Sequence, residues 1–187
     1  GLGDVYKRQG ILYLGKKPVM WSVVEKTALA EAEIEYLEKN SKSIFVKFPI
    51  KKNDNSKFQN CSVAIWTTTP WTLPGNMAIA YSNSIEYQII TFSQDYPNFN
   101  LNKGESLIFS KKLFKSFSNE NKIKNYKIED KITGSELSKI LCSHPLAGLG
   151  YEHTIPLIEG FHVTDDTGTG FVHIAPGHGV EDFEIGQ

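Results

Sequence analysis

Four hydroxyls, two prolines and a glycine fall within nine positions of the stretch Trp66-Thr67-Thr68-Thr69-Pro70-Trp71-Thr72-Leu73-Pro74-Gly75-Asn76. Threonine hydroxyls donate and accept hydrogen bonds without ionising near neutral pH. A rigid loop of Thr67, Thr68, Thr69 and Thr72 can therefore hold a water and a polar ester without using charge. None of these side chains is a strong base. Chemistry here would rest on positioning and on backbone donors aimed at a developing oxyanion. The plainer reading is a Thr-rich strand that ends in a Pro turn, because short motifs often match by chance.

A second stretch carries the titratable residues: Asp166-Thr167-Gly168-Thr169-Gly170-Phe171-Val172-His173-Ile174-Ala175-Pro176-Gly177-His178-Gly179-Val180-Glu181-Asp182-Phe183. His173, His178, Glu181 and Asp182 are the right types to ligate a hydrolytic zinc or manganese. The histidines are five apart, however, which fits neither one helical face nor the HExxH pattern, and a Pro-Gly pair interrupts them. Each residue also has a structural reading. Glu181 and Asp182 suit the first turn of a helix, where negative charge is favoured. A single strand histidine is commonly a hydrogen-bonded core residue. Gly168 and Gly170 suit a tight turn as well as a close backbone approach to a ligand.

Together these two stretches resemble the editing domain of isoleucyl-tRNA synthetases, the insertion called connective polypeptide 1. The valyl and leucyl relatives typically read TTRP in the first motif and PAHD in the second. Here they read TTTPWTLP and HIAPGHGVEDF, which resembles the isoleucyl type. A third matching piece is Lys16-Lys17-Pro18-Val19-Met20-Trp21, followed by Thr27 to Tyr36. The resemblance runs from about residue 10 to Gln187 in the family's order.

The resemblance implies hydrolysis of the ester that joins a wrong amino acid, chiefly valine, to the 3′-terminal adenosine of isoleucine tRNA. Isoleucine and valine differ by one methylene, and the isoleucyl enzyme is the standard worked case of how little binding alone can separate them. The remedy is a second, hydrolytic sieve. On this reading Asp182 anchors the substrate ammonium, since a carboxylate is the natural partner for a cation in a site with few other charges. The motif, not the spacing, selects Asp182 over Glu181. His173 lines the pocket and excludes the larger side chain. Thr67, Thr68 and Thr69 surround the adenosine, the ester and the attacking water. Thr72 and Asn76 complete the wall, and Gly168, Thr169 and Gly170 let the backbone approach. Editing needs no cofactor and no metal, although the parent enzyme uses ATP and magnesium. The partners implied are the valine-charged 3′ end of isoleucine tRNA and the rest of the synthetase in cis, in the cytoplasm and away from membranes. The HIGH and KMSKS signatures of the adenylate-forming core do not occur. Two rivals stay open: a valyl-type editing domain, and a non-catalytic β module that stacks a single-stranded nucleic-acid end on Trp66 and Trp71.

The elements that must position these residues are mostly strands. Apolar or alternating runs predict strands at Ile44–Phe48, Cys61–Trp66, Met77–Tyr81, Glu86–Phe92, Glu105–Phe109, Tyr126–Ile132, Ile155–Ile158, Phe161–Val163 and Gly170–Ile174. An extended segment is expected over Gly10–Trp21, a short helix over Thr27–Glu33 and a return to strand over Ile34–Leu37. Leu113, Phe114 and Phe117 predict an amphipathic helix, and helical turns are expected over Thr133–Ile140 and from Gly179 onward. Residues 51–59 read as a polar loop. Residues 116–131 are rich in Lys and Asn, a basic contact for phosphates or, more commonly, a solvated face. The fold class is therefore mainly β with short helices (α+β), and the resemblance implies a β-barrel-like editing domain. Residues 1–9 match no family segment and are set aside as a leader; residues 10–187 read as one editing domain that continues past Gln187.

The chain of 187 residues carries a net charge of −1, so it has no global basic footprint for nucleic acid and would grip only a short single-stranded end. Its two cysteines, Cys61 and Cys142, form no CxxC motif and no disulfide framework. The isoleucyl-type cysteine pair after Trp21 is absent, so no metal is expected there.

Overall fold

The computed structural model describes residues 2–51 and 56–187. It divides into two compact units, Gly1–Glu38 and Lys39–Gln187. The first unit holds a helix α1 (Leu2–Arg8) and a two-stranded hairpin of β1 (Trp21–Ser22) and β2 (Thr27–Ala28). The extended segment predicted over Gly10–Trp21 is a paired strand only at its end. Most of residues 11–20 are exposed, and β-type side chains do not hold a strand without a partner to pack on. The helix expected over Thr27–Glu33 shrinks to a 3₁₀ turn, Glu31–Glu33, whose start is closed by the Ala30 N–H donating to the Glu33 carboxylate at 2.7 Å. Ile34–Leu37 forms no strand.

The second unit is built of β3 (Ile44–Pro49), β4 (Cys61–Thr67), β5 (Ala78–Tyr81), β6 (Tyr87–Phe92), β7 (Ser106–Ser110), α2 (Lys111–Glu120), β8 (Tyr126–Ile132), α3 (Gly134–Leu137), β9 (Leu141–Ser143), β10 (Thr154–Glu159), β11 (Val172–Ile174) and α4 (Val180–Ile185). One sheet has the order β3-β4-β7-β6-β8 and the other β11-β5-β10-β9. Each sheet contains a parallel pair, β4 with β7 and β5 with β10.

Alternation along the strands decides the layers. Val63 and Ile65 of β4, Tyr87 and Ile89 of β6 and Ile108 of β7 face a central core with Phe48, Ile79, Leu157 and Phe171. Their neighbours Ala64, Ile90, Phe92, Leu107 and Phe109 face the opposite side, where Leu113, Phe114 and Phe117 of α2 cover them. The Phe109 and Phe117 rings stack at 5.5 Å. This is the apolar face that the spacing of α2 predicts.

The mainly β expectation holds, with one qualification. An Ile50–Cys142 bridge and the Lys51 N–H donating to the Leu141 carbonyl at 2.8 Å join the β3 edge to the β9 edge. At the far edges, β8 and β11 are not paired with each other, so no barrel closes among the described residues. The β8 sequence Tyr-Lys-Ile-Glu-Asp-Lys-Ile is charged and mostly exposed, the kind of edge that discourages further pairing.

Two smaller readings change. Phe161–Val163 is a turn, because the Gly160 N–H caps the β5 backbone at Tyr81 (2.8 Å) and the Val163 N–H returns to Gly160. β9 is three residues long and leaves no readable period in the sequence. Of the expected polar loop at 51–59, residues 52–55 lie outside the described residues, and the rest includes a 3₁₀ turn at Ser56–Phe58. Among the described residues no helix is long and apolar enough to cross a membrane.

Candidate active site

β4 is buried along nearly its whole length and delivers Thr67 at its end. Pro70 then opens a 3₁₀ turn, Pro70–Gly75, and the two prolines forbid any regular continuation. The turn is held from within. The Thr69 N–H donates to Thr67 Oγ1 at 3.1 Å. The Thr69 carbonyl accepts both the Thr72 N–H at 3.0 Å and the Thr72 hydroxyl at 2.8 Å.

It is also held from outside, by histidines. His144 Nε2 donates to the Leu73 carbonyl at 2.9 Å, and its Nδ1 accepts the Leu146 N–H at 3.1 Å. His153 Nε2 donates to the Asn76 carbonyl at 2.8 Å. His173 Nε2 lies 3.1 Å from Thr72 Oγ1. His178 packs so closely on Gly75 that a Cβ there would come within 3.0 Å of its ring. The chain has five histidines. Four of them meet this turn.

The opposite wall comes from the approach to β11. Gly168 and Gly170 adopt φ of +79° and +84°, and a Cβ on Gly170 would come within 2.7 Å of Ser110 Cβ. Both positions need glycine. The turn between them is fastened to the five-stranded sheet by the Ser110 N–H donating to the Thr169 carbonyl (2.8 Å) and the Tyr87 hydroxyl donating to the Gly170 carbonyl (2.6 Å). Beyond β11, Asp182 in the first turn of α4 accepts the Ala175 N–H at 2.8 Å, which ties the helix back to the strand.

These walls enclose a cavity of about 380 Å³. Of the predicted residues, Trp66, Thr67, Thr68, Thr69, Gly168, Gly170, His173 and Asp182 line it. Thr72, Asn76 and Thr169 stand behind the lining. Thr72 reaches it only through His173. Asn76 is fully buried and donates to the Ala78 carbonyl at 2.9 Å, so it fixes the exit of the turn. Thr169 is fully buried, and its hydroxyl accepts the Phe171 N–H at 3.3 Å. Five lining residues were not anticipated: His162, Thr164, Thr167, Phe171 and Val172. For His162 and Thr164 the signal was an alternation, His162-Val163-Thr164, of which the strand reading at Phe161–Val163 took in the first two residues.

Burial pushes the His173 imidazole below its ordinary pKa; the Asp182 carboxylate partly opposes this and His178 adds to it. His173 is therefore neutral at neutral pH. Two buried imidazole nitrogens in the wall, His173 Nδ1 and His162 Nε2, have no hydrogen-bond partner among the described residues. Most buried polar side-chain atoms in folded proteins have a partner, so each unpaired one calls for an explanation. His173, His178, Glu181 and Asp182 do not converge as ligands: among the described residues no group of three or more His, Cys, Asp or Glu side chains is arranged to hold a metal.

The family model described as tRNA synthetases class I (I, L, M and V) matches residues 3–172. The chain belongs to this family. Within it, this synthetase chain is 51% identical over 184 residues to the isoleucine–tRNA ligase of Agrobacterium fabrum, covering 97% of this chain and 19% of that protein. It is 52% identical over 183 residues to the isoleucine–tRNA ligase of Rhodopseudomonas palustris, covering 96% and 18%. The chain thus spans under a fifth of the length of these curated relatives. Its fold is similar to the crystal structure of GlLeuRS-CP1, with a TM-score of 0.60 at 20% identity over 76% of this chain and 58% of that one. It is also similar to the P. knowlesi cytosolic leucyl-tRNA synthetase editing domain, with a TM-score of 0.56 at 13% identity over 77% and 60%. At such low identity the likeness concerns the fold, and the fold of this synthetase chain is that of these domains.

Proposed function

We propose that this synthetase chain hydrolyses the ester of valine misattached to isoleucine tRNA. The observation that carries the reading is the meeting, across one cavity of about 380 Å³, of Asp182 and His173 with the Thr67–Thr69 turn. These groups are 100 or more positions apart in sequence. Asp182 has one carboxylate oxygen on the Ala175 N–H and receives the valine ammonium on the other. The Thr turn seats the terminal adenosine and the ester. His173, backed by Thr72, limits the side chain that fits. The threonine at the third position of TTTP, the PGHG turn and the identity to isoleucine–tRNA ligases favour isoleucyl over valyl parentage.

The reaction needs neither metal nor cofactor, because the ester is already reactive toward water and the site can supply orientation and polarity. The tRNA 3′ end and the remaining synthetase in cis are the partners, in the cytoplasm. The test is deacylation by this chain of valine and of isoleucine, each carried on isoleucine tRNA, with and without chelator. Valine is released, isoleucine is kept, and chelator changes nothing. Equal release of both amino acids, or loss of activity with chelator, overturns the reading. Asp182→Ala lowers the valine rate by about 10²–10³-fold, the scale of removing a buried charge partner; an unchanged rate removes Asp182 from the site.

A further inference from the structure

The Thr69 carbonyl oxygen has no proton to give, and it lies 2.8 Å from Thr72 Oγ1. The Thr72 hydroxyl must therefore point its single proton at that carbonyl; otherwise two oxygen lone pairs would face each other at hydrogen-bond distance. Thr72 Oγ1 is then left to His173 as an acceptor only. The nitrogen it meets, Nε2 at 3.1 Å, must carry a proton. A neutral imidazole has one ring proton. So Nδ1 carries a lone pair, and Nδ1 is the atom that is buried without a partner in a side chain 8% exposed, lining the cavity. His144 shows the contrast: its tautomer is fixed in the same sense, Nε2–H to a carbonyl, but its Nδ1 is already occupied by the Leu146 N–H.

We propose that the Thr69–Thr72 pair acts as a tautomer lock on His173, and that the unpartnered lone pair of Nδ1, buried in the cavity wall, is the acceptor for the hydrolytic water. The second half rests on the editing reading. Of the other acceptors that line the cavity, the threonines do not ionise and Asp182 is committed to the Ala175 N–H and the substrate ammonium; His162 Nε2 is also unpartnered, but only His173 has its tautomer fixed by the Thr69–Thr72 pair. The charged and titratable groups around His173 are Asp182 of α4, His178 of the preceding turn and His162 of the facing loop; β4 and its turn offer only hydroxyls. As the water oxygen bonds to the ester carbonyl carbon, its proton passes to Nδ1. The carbon–oxygen bond to the ribose then breaks, and the proton on Nδ1 moves to the departing ribose oxygen. The products are the free hydroxyl and the amino acid, whose carboxyl proton is lost to solvent, and His173 returns to its starting tautomer. His173 is the catalytic residue in this step and Thr72 a positioning residue.

The experiment has two arms. Nitrogen NMR on the labelled chain without substrate reads the His173 tautomer directly: a protonated Nε2 and a bare Nδ1 are expected, and a protonated Nδ1 overturns the lock. Thr72→Val, of nearly the same shape, should give a mixture of tautomers. Its kcat on valine-charged tRNA should fall about tenfold or more, within the range of general-base effects, with KM little changed. Thr72→Ser should restore both. A Thr72→Val chain that melts like the parent, mixes tautomers and keeps its kcat overturns the role of Nδ1. A parent chain with the expected tautomer but no hydrolysis fails the editing reading and the water step with it, and the lock alone survives.

Discussion

Two cavities of nearly equal size teach different lessons. One lies between β3, the Pro97–Phe99 turn and α2, with a volume of about 420 Å³; the other is the Thr-turn pocket, at about 380 Å³. The first is lined by Phe45, Phe99, Leu107, Phe109 and Phe117, and its one charged lining residue, Lys47, is already paired with Glu105 at 2.6 Å and with the Asn100 carbonyl. The second is lined by threonines, two histidines and a carboxylate, with two buried nitrogens unpartnered. Volume does not tell them apart. What separates them is whether the polar atoms of the wall have already found partners within the protein. Where they have, the cavity belongs to stability; where they have not, binding a ligand gains what folding left unmade.

That contrast can be broken in order of size. Phe109→Ala, under the first cavity, removes a fully packed ring and lowers stability by about 3–5 kcal/mol in denaturant titration, while the ratio of valine to isoleucine release stays unchanged. A shifted ratio would mean that the two cavities are not independent. His144→Ala tests the satisfied counterpart of His173. It strands the Leu73 carbonyl and the Leu146 N–H, and costs about 2 kcal/mol with slower turnover as the Thr turn loosens. His173→Ala costs less stability and acts on selectivity. Valine release slows about tenfold or more as Nδ1 is lost, and in the hydrolysis that remains the preference for valine over isoleucine falls by about 10-fold or more, the worth of a methylene in a shaped pocket; an unchanged ratio would remove His173 as the size gate.

The smallest effect lies far from both cavities. The Lys57 ammonium, helped by the Thr133 N–H, holds the Glu136 carboxyl down to about 2. A depressed folded pKa gives stability that is full above the unfolded value near 4.5 and is lost as pH falls toward 2. Glu136→Gln should therefore narrow the gap in melting temperature between pH 6 and pH 3, and added salt should shrink the difference between the two proteins. An undiminished gap would assign the acid sensitivity elsewhere.

Much of the pocket was legible in the sequence because its chemistry is carried by compact motifs. Thr67–Thr69, His173 and Asp182, which the family resemblance groups together, line one cavity, and the strands that hold them follow from apolar runs. Asn76 and Thr169 were read as wall because they are polar and sit inside a motif; the Asn76 amide nitrogen and the Thr169 hydroxyl spend that polarity on neighbouring backbone, which no linear pattern reveals. His162 was missed for the opposite reason. Its importance lies in facing a cavity, and Phe161–Val163 looks like a strand until Gly160 is seen to end the pairing with β5. The first unit was over-read from propensity: Thr27–Glu33 has helical composition but no packed face to make a helix worth forming. Barrel closure was not legible, since it depends on whether two edge strands meet.

The bond between Thr72 and His173 spans 101 residues of chain. Contacts so distant in sequence are slow to find, because the intervening chain must give up its freedom before the contact rewards it. Local pieces such as the β6–β7 pairing and α2 can form early, whereas the two walls of the pocket meet only when the long-range pairs are in place. A newly made chain would thus acquire its discrimination late in folding, and valine release would report on the last contacts to form, not the first.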